Sequence, residues 1–346
     1  MESKQPEFAK LFSVYTFEGF PLISLKNPWK NNIAETKLWM IDHSMQVPDT
    51  LPEQIQIIRT PVESVSVMSG TDVAFLDLLD ELDKVQAVGD FNLIKNPVLK
   101  RRIEEGKIKE TGTNAAFKEE QFLAVSPDVA FITAYQNQSL EKLKRLGIRV
   151  IPVTGYMENH PLGRAAWLRF FSYFFNKEKL ADSLFQQTVR KYMALKRLTD
   201  TLSDKPTVFS GKPYGGIWYQ PGGQSFIAKI FEDAGLNYLW KSNTSAGGVP
   251  LDFETVYAHA ANADFWRLLV KHPERYNYEL LLQEDPRYED FKAFREQKII
   301  MVNVADVHYY EKGPTEPDVI LADLIHASHP NLLPDYEPVY YKMMQP

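Results

Sequence analysis

Cysteine is absent from all 346 residues. That excludes disulfides, thiolate metal sites and cysteine nucleophiles together. It leaves the compartment open, because an oxidising space finds no thiol to oxidise. No run of about 18 apolar residues exists, so no membrane-spanning helix of ordinary length is encoded. An excess of basic charge is missing too: 39 Lys+Arg stand against 45 Asp+Glu, a formal charge of -6. Non-specific nucleic-acid binding, which feeds on clustered cations, is therefore not expected. The GxSxG and HExxH motifs do not occur, and no glycine-rich stretch ends in GK[ST] or matches GxGxxG with a downstream acid. A Ser-His-Asp triad leaves no local signature and stays open, but the expectation is that the chain is not an enzyme and has no catalytic residues.

What is present describes an ordinary globular protein, 44% hydrophobic and 24% charged, with length for about two domains of roughly 150 residues. Aromatics are abundant, with 6 Trp, 17 Tyr and 21 Phe. Such a surplus serves either a large core or a binding surface that needs flat rings with polar tips. Met1 to Lys10 is polar and has no apolar signal segment, which fits a cytoplasmic protein or a mature chain whose signal was replaced by Met1.

Hydrophobic periodicity organises the chain. Residues 55–62 and 64–68 read as strands, Thr71 to Asp83 as a helix with Phe75, Leu78, Leu79 and Leu82 at helical spacing, and Val85 to Val88 as a strand. Helix 119–125, strand 129–133, helix 140–146 closed by Gly147 and strand 148–153 follow. Alternation of this kind predicts a parallel α/β layer over about 50–155. Pro161 to Leu202 instead carries one apolar stripe through Trp167, Phe170, Phe171 and Phe174 and another from Leu180 to Leu195. Asn176 reads as an N-cap between them, giving a second helix over about 177–203, roughly 40 Å long. Alternation then resumes with strand 207–210, helix 226–234 capped by Gly235, helix 253–260, strand 298–304 and helix 318–326. The expected architecture is two Rossmann-like α/β lobes bridged by a single long helix: an N-terminal lobe over 1–155, a helical linker over 161–203 and a C-terminal lobe over 205–346.

The two halves echo one another. The segments Glu120 to Phe131 and Glu254 to Phe265 share Glu, Ala and Phe at identical offsets, and both read as short helix, turn and strand. An acidic first turn is also what the helix dipole favours, so two unrelated helices would look similar.

Candidate ligand contacts come from three places. Pro213 to Ala228 is uncharged over sixteen residues and holds Tyr214, Trp218, Tyr219 and Ser225 among four glycines. Glycine lets backbone approach a ligand and aromatics beside it supply contact area, which suggests a pocket rim, against an irregular loop. Tyr309 and Tyr310 follow the strand 298–304, and ligands in open α/β sheets bind outside the carboxyl ends of strands. Ser69 and Thr71 follow a strand and open a helix, where hydroxyls and N–H groups suit an anion, although a plain N-cap would look the same. Of the seven His, the first lobe offers only His43, outside its α/β part, and His326 and His329 read as a helix end. No metal ligands are assigned.

Three stretches carry a family resemblance. They are Val88-Gly-Asp followed by Glu120-Gln-Phe-Leu-Ala-Val-Ser-Pro-Asp-Val-Ala, then Glu158-Asn-His-Pro-Leu-Gly-Arg-Ala-Ala-Trp167, and Tyr309 to Ile325 with His329-Pro330. Together they resemble the periplasmic substrate-binding proteins of ABC importers for iron–siderophore, haem and cobalamin, over roughly 55–340. The resemblance implies two α/β lobes with the ligand held between them, no resident cofactor, and a monomer that docks onto an ABC permease dimer. Glu120 and Glu254 fall on the family's permease-docking positions. It also implies a periplasmic location, with a lipid-anchored precursor compatible with the missing cysteine. The transported ligand is expected to be a ferric siderophore, with cobalamin or haem as the alternative. A bare Zn or Mn binder and an enzyme on the same scaffold rank below these. Arg59, Arg101, Arg102 and Lys212 are the cations available for an anionic chelate. The chain departs from the family pattern at Ala116-Phe117, at Ala261-Asn262 and in the extra region before residue 50.

Overall fold

A computed structural model describes residues 3–4, 6–29, 35–47, 55–113, 116–135 and 140–346. Residues 1–158, 162–186 and 310–315 form one unit, and residues 159–161, 187–309 and 316–346 a second.

The first unit opens with a sheet. Strands β1 (Ser3–Lys4), β2 (Phe12–Phe17), β3 (Phe20–Lys26), β4 (Glu35–Asp42) and β5 (Ile55–Thr60) pair in that order, antiparallel except for β4 with β5. Glu18 and Gly19 both take positive φ in the two-residue β2–β3 turn, the geometry a twisted hairpin requires. Side chains alternate to two apolar faces. Phe12 packs edge-on against Trp167 and Phe170 at 5.4 and 5.7 Å, while Leu22, Trp39 and Ile41 cluster on the other face. The strand expected at the head of the parallel layer, 55–62, therefore belongs to this N-terminal sheet instead.

The parallel sheet begins one strand later. It contains β6 (Val65–Val67), β7 (Val85–Val88), β8 (Lys109–Glu110), β11 (Val129–Thr133) and β12 (Val150–Val153) in the order β12-β11-β6-β7-β8. A small antiparallel pair, β9 (Gly112–Thr113) and β10 (Ala116–Phe117), stands apart. Helices α1 (Gly70–Leu78), α2 (Pro97–Glu104), α3 (Glu119–Val125) and α4 (Glu141–Arg145) connect the strands. Burial on both faces is why β11 and β12 read as short, nearly unbroken apolar runs.

The stretch 161–202 divides into α5 (Pro161–Ala165), α6 (Trp167–Ser172) and α7 (Glu178–Asp200). The predicted stripe of α6 is core: Phe171 lies 4.8 Å from Phe131 and stacks on Phe75 at 5.1 Å. Asn176 does break the helices, but with φ 55° it sits left-handed beyond the end of α6, a C-terminal role rather than the expected N-cap. Helix α7 is continuous and about 35 Å long. Its residues to Gln186 belong to the first unit and those from Gln187 to the second, so one helix carries the chain from one α/β unit to the next.

In the second unit β13 (Thr207–Ser210), β15 (Asn237–Tyr238), β17 (Phe265–Val270), β18 (Ile299–Asn303) and β19 (Lys342–Met343) lie in the order β15-β13-β17-β18-β19. Only β19 runs antiparallel to its neighbour. Strands β14 (Trp218–Pro221) and β16 (Gly248–Leu251) form a separate antiparallel ribbon. Helices α8 (Phe226–Asp233), α9 (Phe253–Ala260), α10 (Tyr278–Glu284), α11 (Lys292–Arg295) and α13 (Pro317–Ser328) accompany these strands, whereas α12 (Tyr309–Lys312) belongs from Tyr310 onward to the first unit. The buried carboxylate of Asp323 accepts from the backbone N–H groups of Val339, Tyr340 and Tyr341 and from the Tyr336 hydroxyl. Those four donors fix the C-terminal segment that ends in β19.

Candidate ligand-binding and docking surfaces

In each parallel sheet the chain leaves the first strand in one direction and later returns on its other side. In the first unit that switch lies at β6 and β11, in the second at β13 and β17. Loops leaving the carboxyl ends of two such strands diverge, and the gap is where open α/β sheets take ligands.

At the first switch, β6 leads into Met68, Ser69, Gly70 and Thr71. The Ser69 Oγ accepts from the backbone N–H of Asp72 at 3.1 Å and caps α1, the plainer of its two expected roles. Thr71 Oγ1 donates to the Tyr310 carbonyl at 2.7 Å. Asp72 is buried, and loss of hydration pushes its carboxyl up to about 7. From β11 and β12 come two residues that were not singled out in the sequence. Tyr135 and Tyr156 are both partly exposed, with rings 5.6 Å apart, and the Tyr156 hydroxyl donates to the Ala134 carbonyl at 2.9 Å. Both follow predicted strands, so the rule that nominated Tyr309 and Tyr310 would have found them. Residues 68–71, 134–140 and 154–157 contain no Lys or Arg.

At the second switch, β13 runs into Gly211, Lys212 and Pro213 and then a tight turn. Tyr214 and Ile217 exchange backbone hydrogen bonds at 2.8 and 3.2 Å across Gly215 and Gly216, whose φ values are +59° and +81°. Two successive positive φ angles are what this turn demands, and glycine meets them without strain. The turn leaves Tyr214 84% exposed. Along β14 the strand period then sorts the side chains. Tyr219 is 48% exposed, whereas Trp218 and Gln220 are fully buried.

Trp218 is therefore a correction. Its indole N–H donates to the Ser210 carbonyl at 2.9 Å, and its ring packs among Phe209, Trp266 and Phe291. It is core and offers no face to a ligand. Ser225 is buried and spends its Oγ capping α8 through the Ala228 N–H at 3.2 Å. Tyr309 is also buried, with its ring edge-on to Tyr340 and Tyr341 and its hydroxyl bonded to that of Tyr341 at 3.0 Å. Tyr310 is exposed.

Three of the cations named from the sequence, Arg59, Arg102 and Lys212, are engaged structurally. Arg59 donates to the carbonyls of Asp42 and Met45 at 2.8 and 2.5 Å, holding a turn of the N-terminal sheet. Arg102 donates to the Leu82 carbonyl. Lys212 pairs with Glu284, which also accepts from the Tyr276 hydroxyl. A cation the sequence did not reveal is Arg267 on β17. Its buried guanidinium donates to the Tyr341 hydroxyl at 2.9 Å and lies 5.1 Å from that ring's centre. His326 and His329 contact the carbonyls of Leu333 and Gly235 at 2.9 and 3.3 Å. Among the described residues no group of three His, Asp or Glu is placed to hold a metal ion.

The two glutamates of the internal echo stand on corresponding helices. Glu120 is exposed in the first turn of α3 and Glu254 in the first turn of α9. Helix α3 leads into β11, the strand that pairs with β6, and α9 leads into β17, the strand that pairs with β13. Each helix thus feeds the strand beside the switch of its own sheet. Glu254 lies 3.4 Å from Arg287, which is held at 2.7 Å by Asp285.

Residues 65–303 match the model of the family described as periplasmic binding protein. The chain belongs to that family. A lipoprotein of Methanocaldococcus jannaschii is 27% identical to this periplasmic binding protein over 294 residues, which span 82% of the chain and 69% of the relative. The crystal structure of a periplasmic heme binding protein from Pseudomonas aeruginosa superposes with a TM-score of 0.62 at 16% identity, over 82% of this chain and 99% of that one. An ABC-type Fe3+-hydroxamate transport system structure from Saccharomonospora viridis gives 0.59 at 16% identity, over 78% and 93%. At such identities the likeness establishes the fold, two α/β units of the binding-protein kind.

Proposed function

We propose that this periplasmic binding protein is the extracytoplasmic substrate-binding component of an ABC importer, and that its cargo is an iron–siderophore-type metal chelate. The observation that carries the reading is the pair of exposed phenols, Tyr214 and Tyr219, presented beside the carboxyl end of β13. They supply flat apolar area with polar tips at the place where the fold takes ligands. Tyr135 and Tyr156 offer the same mixture beyond β11 and β12, in loops without a cation. Lys212 is neutralised by Glu284. That combination favours a chelate of low net charge, such as a ferric trihydroxamate, over a highly anionic tris-catecholate. Haem or cobalamin is the second reading, favoured by the exposed ring pair of Tyr135 and Tyr156.

The protein works by binding and release, without chemistry of its own and as a monomer. Delivery goes to an ABC permease dimer through Glu120 and Glu254. A lipid anchor outside the membrane accords with the lipoprotein relative. Equilibrium dialysis against ferric trihydroxamate, ferric tris-catecholate, haem, cobalamin and free Zn tests the assignment. Saturable one-to-one retention of the trihydroxamate is expected. Retention of Zn alone would contradict the chelate reading, and retention of haem or cobalamin alone would replace the siderophore by the second class.

A further inference from the structure

Superposing the sequence around Glu120 on that around Glu254 aligns more than the acids. Two positions on, Phe122 and Val256 are both fully buried. Three positions on, Leu123 and Tyr257 are both exposed, at 49% and 37%. Four positions on stands alanine in both helices, Ala124 and Ala258, exposed in each case. Residues three apart share a helix face. Each docking helix therefore presents an acid and, one turn along, a large apolar side chain with a small neighbour that leaves room for close approach.

A single exposed leucine or tyrosine means little, since much of any protein surface is apolar. Recurrence in register with an acid, on topologically matching helices of two units, is different. The ion pairs beside the two acids differ. Glu119 is engaged by Lys142, leaving Glu120 with no ion-pair partner among the described residues. Arg287 joins Glu254 to Asp285. Tyr257 is also held still, stacked on Phe253 at 6.2 Å and edge-on to Phe291 at 5.3 Å, as suits an anchor that loses little freedom on binding.

We infer that Leu123 and Tyr257 are the apolar half of two equivalent docking points, and that the partner is a permease dimer whose two copies each present a cation beside an apolar socket. The inference rests on the docking role proposed for Glu120 and Glu254. The division of labour follows from physics. Exposed charge governs approach and salt dependence, whereas a desolvated apolar anchor governs how long the complex lasts.

The test uses the full chain, fluorescently labelled, and membrane vesicles from the organism that makes it. Association and dissociation are followed at several salt concentrations for the wild type, L123S/Y257S and E120Q/E254Q. The apolar pair of substitutions is expected to speed dissociation at least tenfold with the salt slope unchanged. The glutamate pair is expected to slow association and flatten that slope. Tyr257→Phe should restore the wild-type dissociation rate, which separates loss of the anchor from a disturbed helix. A photo-crosslinking residue at position 123 should join the chain to a permease subunit identified by mass spectrometry. Unchanged dissociation in L123S/Y257S, with weakened binding in E120Q/E254Q, overturns the apolar role and leaves the glutamates standing. No effect of E120Q/E254Q, or no binding of the wild type, removes the docking reading and this inference with it.

Discussion

Burial decides what single residues do here more than their type does. Asp72 sits in the first turn of α1, where a carboxylate is usually welcome, yet desolvation raises its carboxyl to about 7. An acid whose pKa is higher in the folded chain than in the unfolded one keeps its proton longer when folded. Its contribution to stability is therefore greatest at low pH and declines as pH rises from about 4 to about 7. A shift of that size corresponds to about 4 kcal/mol at most. Asp72→Asn should leave stability near pH 4 almost unchanged and raise it by about 1–3 kcal/mol at pH 8, as read by urea melts at both values. Equal differences at the two pH values would show that Asp72 is not the titrating group. Trp218 teaches the same lesson from the apolar side. The sequence places it in an uncharged glycine-rich loop, one residue from Tyr219, and nothing in composition separates the two. Strand parity does: Trp218 faces the core and Tyr219 the solvent. Trp218→Ala is expected to cost about 3–5 kcal/mol of stability, seen as an early thermal transition. An unchanged melting temperature would contradict its place in the core.

At the scale of elements, much of the α/β alternation was readable because parallel strands buried on both faces give short apolar runs punctuated by capped helices. Strands 85–88, 129–133 and 207–210 and helices 119–125 and 253–260 have the boundaries the sequence suggested. The N-terminal sheet was not legible. Both of its faces are apolar, so the two-residue alternation that marks a half-exposed strand is blurred, and the Glu18-Gly19 turn is not among the strongest hairpin signals. The Tyr214–Ile217 turn was seen as a glycine-rich loop but not as a hairpin, because only the paired positive φ angles reveal what the glycines are for. Tyr309 and Ser225 show the limit of reasoning from position along a strand or helix. Each sits where a ligand contact is plausible and each is consumed by its own neighbours, Tyr341 and the α8 backbone.

For the whole molecule, two units with different strand orders reach the same functional geometry. Each has a switch beside its first strand, and each has a short acidic helix feeding the neighbouring strand. One continuous helix, α7, contributes to both. The weak internal echo in the sequence falls on that repetition, and the docking role proposed for Glu120 and Glu254 would give it a purpose in a two-fold partner. The central claim, a chelate held by the exposed tyrosines, is tested most directly by one titration. A ferric trihydroxamate is titrated into the wild type and into Tyr214→Ala/Tyr219→Ala, with melting temperatures recorded alongside. The account predicts at least tenfold weaker binding by a variant that melts with the wild type. Equal affinity in the two proteins would contradict it.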